Sequence, residues 1–185
     1  KDMVLVKTLT MEMEHGKPSS KRRIETQLLH LQGNTWRGNS GEWAGYTYIW
    51  NEAQTEATLA PAGGTDLEFS VQDPTAPGGK RQHRWHVASR TECYQCHNPW
   101  TGYRLAFTPA QLNKTHDYDS TQDKQLRTLK HIGIIRDITL EADSTTAPAA
   151  SQDQAFSQLV NPHDQGASLE SRARSYLHVN CAHCH

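Results

Sequence analysis

Trp43-Ala44-Gly45-Tyr46-Thr47-Tyr48-Ile49-Trp50-Asn51 decides how the first half of this chain folds. Tyr46, Tyr48 and Trp50 alternate onto one side, and aromatic and β-branched residues dominate, which is the composition of a pleated, half-buried strand. The same period of two extends in both directions. Before this stretch, Leu9, Met11, Met13 and His15 share a face opposite Thr10, Glu12 and Glu14, and Arg22 to Leu31 makes a second run. Gly33 to Gly41 is a loop of turn formers. After it, Leu67, Phe69 and Val71 lie between the Gly63-Gly64 turn and the Pro74 to Gly79 turn, and Arg81 to Val87 completes an antiparallel sheet. The aromatic face is read first as core and second as a wall for a flat cofactor.

The pattern changes at residue 89. Ser89-Arg90-Thr91-Glu92 has the spacing of a capping box, so a helix is expected to begin there. Thr108-Pro109 starts a short helix with proline at its first position. Thr121 to Ile132 is predicted as a helix with Leu126, Leu129 and Ile132 on its apolar side and Gly133 as its cap. Residues 139–168 read as a loop or linker, Asp143 to Ser168 being rich in Ala, Ser, Gln, Asp and Pro. A last helix starts near Ser168 or Leu169. The expected fold class is α+β: an N-terminal antiparallel β-sheet part over residues 1–88, then a helical part over 89–185.

The helical part contains one pentapeptide written twice, and this is the reason to expect it to carry two c-type haems. Cys93-Tyr94-Gln95-Cys96-His97 and Cys181-Ala182-His183-Cys184-His185 are both Cys-x-x-Cys-His and use all 4 cysteines. Two thiols one helical turn apart suit the two vinyl groups on one porphyrin edge, and the adjoining histidine suits the iron. With 11 His in 185 residues, two chance histidines at those positions would be about a 0.4% coincidence, against the motif reading. A split zinc site is disfavoured because paired zinc knuckles sit far closer together. A thioredoxin-like dithiol is disfavoured because neither copy has a βαβ setting. Cys93, Cys96, His97, Cys181, Cys184 and His185 are therefore the expected cofactor-binding residues, with His97 and His185 as proximal iron ligands.

The second axial position separates a carrier from a reactive site. His131, on the third predicted helix, and His178, one turn before Cys181, lead the candidates; His30 and His116 follow. His183 is the variable motif residue and is expected to point outward. Met3, Met11 and Met13 are the only methionines, and Met11 and Met13 read as core before they read as ligands. Arg90, Arg172 and Arg174 are the nearest cations to the motifs for haem propionates.

Composition narrows the setting. The chain is 35% hydrophobic with a mean hydropathy of −0.78, so it buries little aliphatic surface of its own, and porphyrins would supply apolar core. A net charge of −1 gives no basic excess for nucleic acid. No apolar run reaches the length of a membrane span. Thioether attachment of haem takes place outside the bacterial cytoplasm, so a periplasmic or extracellular location is expected, with an export signal already removed. A chain ending on an iron ligand is expected to be a segment of a longer protein.

Several segments together resemble a known family. In order they are Val4-Leu5-Val6-Lys7-Thr8, Arg23-Ile24-Glu25-Thr26, Gly45 to Asn51, Ser89 to His97, Gln111-Leu112-Asn113, Gln125-Leu126-Arg127 and Arg172 to His185. The set resembles an exported bacterial di-haem c-type cytochrome family of unassigned function, often encoded beside or fused to quinoprotein sugar-dehydrogenase-like domains. Members have further sequence before the first strand and a Pro/Gly-rich segment after the second motif. The strand-rich start is also similar, more distantly, to cytochromes of the P460 type. Two haem motifs without a nucleophile motif such as Gly-x-Ser-x-Gly point to single-electron transfer between an exported dehydrogenase and a terminal acceptor, the redox partner being a quinoprotein dehydrogenase or another cytochrome. Two alternatives stand beside it. One is a haem enzyme with a five-coordinate iron acting on peroxide or a small nitrogen oxide species. The other is a self-associating subunit of an extracellular haem-stacked filament.

Overall fold

A computed structural model of the protein describes residues 3–33, 42–135 and 158–182. Eight strands and four α-helices lie in these segments. Strands β1 (Met3–Glu12), β2 (Lys21–Gln32), β3 (Glu42–Trp50) and β4 (Ala57–Leu59) form one antiparallel sheet in that order. Strands β5 (Thr65–Gln72) and β6 (Lys80–Val87) form a hairpin that is a separate sheet, where the sequence predicted one. The two sheets touch where β1 ends: Gln72 N–H donates to the Met13 carbonyl (2.9 Å) and His15 N–H to the Gln72 carbonyl (2.8 Å).

A bulge shapes the interior. Leu9 pairs with Glu25 but Thr10 pairs with Arg23, so Ile24 is an extra residue on β2. The consequence is that two successive side chains, Ile24 and Glu25, are both 2% exposed. Ile24, Ala60, Val71 and Val87 are the buried apolar residues of this part. Burying Ile24, Val71 and Val87 contributes about 1.5–3 kcal/mol each and Ala60 less, which makes a thin core for a sheet and a hairpin.

The chain divides into two compact units, Lys1–Asn98 and Pro99–His185. Helix α1 (Arg90–Cys96), with the first motif, therefore belongs to the unit that holds the two sheets. The second unit contains α2 (Pro109–Leu112), strands β7 (Thr115–Asp117) and β8 (Gln122–Lys124), α3 (Gln125–His131) and α4 (Leu169–Asn180). Among its described residues the buried apolar ones are Leu112 and Leu126.

The expected helical, haem-carrying part is not what the structure contains, and the α+β assignment is corrected accordingly. Strand accounts for 38% of the described residues, above the 20–25% of an average domain. The helices are short: α2 has 4 residues, α3 has 7 and α4 has 12. Helices of such length gain little from their own hydrogen bonds and need a packed apolar face, which this polar sequence rarely provides. The predicted helix from Thr121 begins only at Gln125, because residues 115–124 close a hairpin. Asp119 takes a left-handed φ of 66° at its tip, and Tyr118 N–H donates to the Thr121 carbonyl. Of the predicted linker 139–168, only 158–168 lies within the described residues, and of the predicted loop 33–41 only Gly33 does.

Candidate functional site

Helix α1 is short, and its ends and one side are held by specific contacts. Ser89 Oγ accepts from Glu92 N–H (3.2 Å) while the Glu92 carboxylate accepts from Ser89 N–H (2.7 Å), which closes the capping box. Arg90 N–H donates to the Ala62 carbonyl at 3.0 Å. The Tyr94 hydroxyl donates to the Trp43 carbonyl on β3 at 2.7 Å. That carbonyl is within reach because β4 pairs only with Tyr48, Ile49 and Trp50, leaving the earlier part of β3 as an edge. The Arg90 guanidinium lies 5.0 Å above the Tyr46 ring.

The first motif's thiols have different surroundings. Cys93 faces β3 at Gly45, where an added methyl group would come within 3.2 Å of its Cβ and 3.4 Å of its Sγ. It is half-buried, its thiol donates to the Ser89 carbonyl (3.4 Å), and burial pushes its pKa up. Cys96, one turn on, is exposed. His97 caps the helix, donating its backbone N–H to the Cys93 carbonyl at 2.9 Å.

The second motif begins where α4 ends. Ser168 caps the helix by accepting from Ser171 N–H. Cys181 is the exposed residue that follows, donating its N–H to the Leu177 carbonyl at 2.8 Å. His183, Cys184 and His185 lie outside the described residues. Ser175 is the buried residue of α4. Leu169, Tyr176 and Leu177 are 75%, 57% and 55% exposed and form an uncovered apolar stripe that leads toward Cys181.

The residues present fit a thioether-bound haem. Each motif starts in or just after a helix, and the exposed apolar side chains of Leu169, Tyr176 and Leu177 lie on the helix that leads into the second. Among the described residues no group of three or more His, Cys, Asp or Glu side chains gathers as a metal cluster. A haem iron does not require one, since the porphyrin supplies four of its ligands and the protein one or two.

The candidate distal ligands are scattered. His131 ends α3 and is exposed, and His178 is exposed in the last turn of α4. His30 on β2 is half-buried beside Gln32 Nε2 (3.4 Å), and His116 on β7 stacks edge-on against Tyr118 with ring centroids 4.7 Å apart. Met11 lines a cavity of about 430 Å³ in the first unit with His15, Lys21, Arg81, His83 and Trp85, and Met3 is exposed. The arginines also have partners: Arg172 Nε donates to the Pro162 carbonyl (2.7 Å) and Arg174 pairs with Glu170. On the aromatic face, Trp50 Nε1 donates to Thr26 Oγ1 and the Arg23 guanidinium covers the Trp50 ring at 3.7 Å.

Sequence reasoning passed over Gly45, Tyr94 and Glu25. A glycine inside an aromatic strand is itself a sign of close backbone approach, and Gly45 was legible on that ground. Nothing in the sequence marked Tyr94 or Glu25. No helix among the described residues is long and apolar enough to cross a membrane. Comparison with known proteins returned no family model, no curated protein and no solved structure that matches the chain.

Proposed function

We propose that this chain is an exported di-haem c-type cytochrome that passes single electrons between an exported dehydrogenase, or another cytochrome, and a terminal acceptor. It is proposed to belong with the bacterial di-haem family that its sequence resembles. The observation that carries the reading is the doubled Cys-x-x-Cys-His, with Cys93 and Cys96 one helical turn apart on α1. Cys93 and Cys96 would hold one haem with His97 beneath its iron, and Cys181 and Cys184 the other with His185. The haem supplies a one-electron couple when bound. The protein's own work is anchoring and environment. The capping box and the Tyr94 hydrogen bond fix α1 against β3, so the first attachment point is rigid. The apolar stripe of α4 offers the second haem a surface to cover, and burying it stabilises the assembly by about 25 cal/mol per Å².

The test is intact mass and the pyridine haemochrome spectrum of protein exported from a host with haem-attachment machinery. Two porphyrin masses and a two-vinyl-saturated c-type spectrum are expected. A colourless chain of unmodified mass, or one carrying zinc, overturns the proposal.

A further inference from the structure

The bulkiest fully enclosed side chain of the first unit is a carboxylic acid. Glu25 is 2% exposed, and its Oε1 accepts a hydrogen bond from Gln27 Nε2 at 2.7 Å. Its Oε2 is buried without a partner, and so is the indole Nε1 of Trp85. A carboxylate taken out of water needs paired charge or several donors. Here one amide and one unclosed indole contact serve instead, so burial dominates and pushes the carboxyl pKa up. Lys7 on β1 and His86 on β6 are the cationic groups that act on it, and both favour the anion. His86 is itself held by Asp66 and Glu92. From α1, the group facing Glu25 is Cys93, whose thiol is influenced by the Glu25 charge.

Register places the acid on the haem-attachment side of the sheet. The direction a side chain would take from Gly45 leads to Cys93. Residues 45, 47 and 49 of β3 share that face by strand alternation. Glu25 pairs directly with Ile49, and directly opposed residues project to the same side.

We propose that Glu25 is the proton-exchanging group coupled to electron transfer at the first motif. The inference rests on the di-haem reading above. A haem bound through Cys93 and Cys96, with His97 on its iron, would supply a one-electron couple, and on its reduction by a one-electron donor protein or an electrode the Glu25 carboxylate would take one proton from water and become the neutral acid. When the electron leaves, the proton returns to water, and no covalent bond to the porphyrin changes. The cause is electrostatic. The oxidised iron carries one more positive charge, which favours the buried anion, and reduction removes that attraction while the burial cost stays.

The test is spectroelectrochemical titration of the matured holoprotein across pH, with redox-difference infrared spectroscopy. The double variant C181A/C184A isolates the first haem. Its midpoint potential is expected to fall as pH rises, by up to about 59 mV for each tenfold drop in proton concentration. A protonated-carboxyl band is expected to appear on reduction. In Glu25→Gln the slope flattens and the band disappears, whereas His86→Gln keeps both. A pH-independent potential, no carboxyl band in the wild-type chain, or a band that survives Glu25→Gln overturns the proposal. The wild-type band and slope suffice if Glu25→Gln does not fold. A chain without covalent haem overturns the di-haem reading and this inference with it; a di-haem chain with a flat potential overturns this inference alone.

Discussion

His86 sits between two carboxylates, its Nδ1 2.8 Å from Asp66 and its Nε2 3.1 Å from Glu92. Asp66 also binds Arg84. The hydrogen bond to Asp66, then that to Glu92, raises the His86 pKa above its ordinary 6.5. Its contribution to stability is thus complete below about pH 6.5 and is lost as pH climbs through the raised folded value. Asp66 is lowered first by Arg84 and then by His86, and Glu92 first by its Ser89 cap. Their contributions exist above the ordinary carboxylate values and are lost as pH falls through the lowered ones. The cluster is strongest in the window between, at mildly acidic pH. The thermal midpoint of the wild-type chain is expected to decline from pH 6 to pH 8 more steeply than that of His86→Gln. Equal slopes would show that the exposed cluster is screened by solvent and contributes nothing measurable.

Helix α1 shows what an element of 7 residues needs in order to persist. Its internal hydrogen bonds are too few, so the caps and the contacts to β3 must supply the rest. Ser89 is 7% exposed, and its hydroxyl accepts from Glu92 N–H. Ser89→Ala is expected to cost about 1 kcal/mol in urea-induced unfolding of the chain, and to lower haem occupancy at the first motif more than at the second. An unchanged unfolding midpoint would mean that the Tyr94 and Arg90 contacts alone fix the helix. The capping box at Ser89 was legible because its two residues stand three apart in sequence, and the start of α4 near Ser168 or Leu169 was legible as well. The helix predicted from Thr121 started too early because Gln122 to Lys124, which carry no apolar residue, pair with β7 instead. Local pattern could not weigh that hairpin against a helical turn.

The two compact units each carry one motif, with α1 among the sheets and α4 in the second. Each attachment site is therefore expected to load on its own. The variant C93A/C96A should keep one covalent haem, and C181A/C184A should keep the other, as read by intact mass and c-type absorbance. Loss of both haems in either variant would show that the two sites mature together. The paired pentapeptides, the period-two runs and the helix caps were all determined by the sequence, because each depends on residues a few positions apart. The separation of β5–β6 from the main sheet, the β2 bulge, the seat of Cys93 on Gly45 and the enclosure of Glu25 were decided only by the tertiary structure. Those features arise from contacts between residues tens of positions apart, whose free energies depend on register and burial that no local spacing encodes.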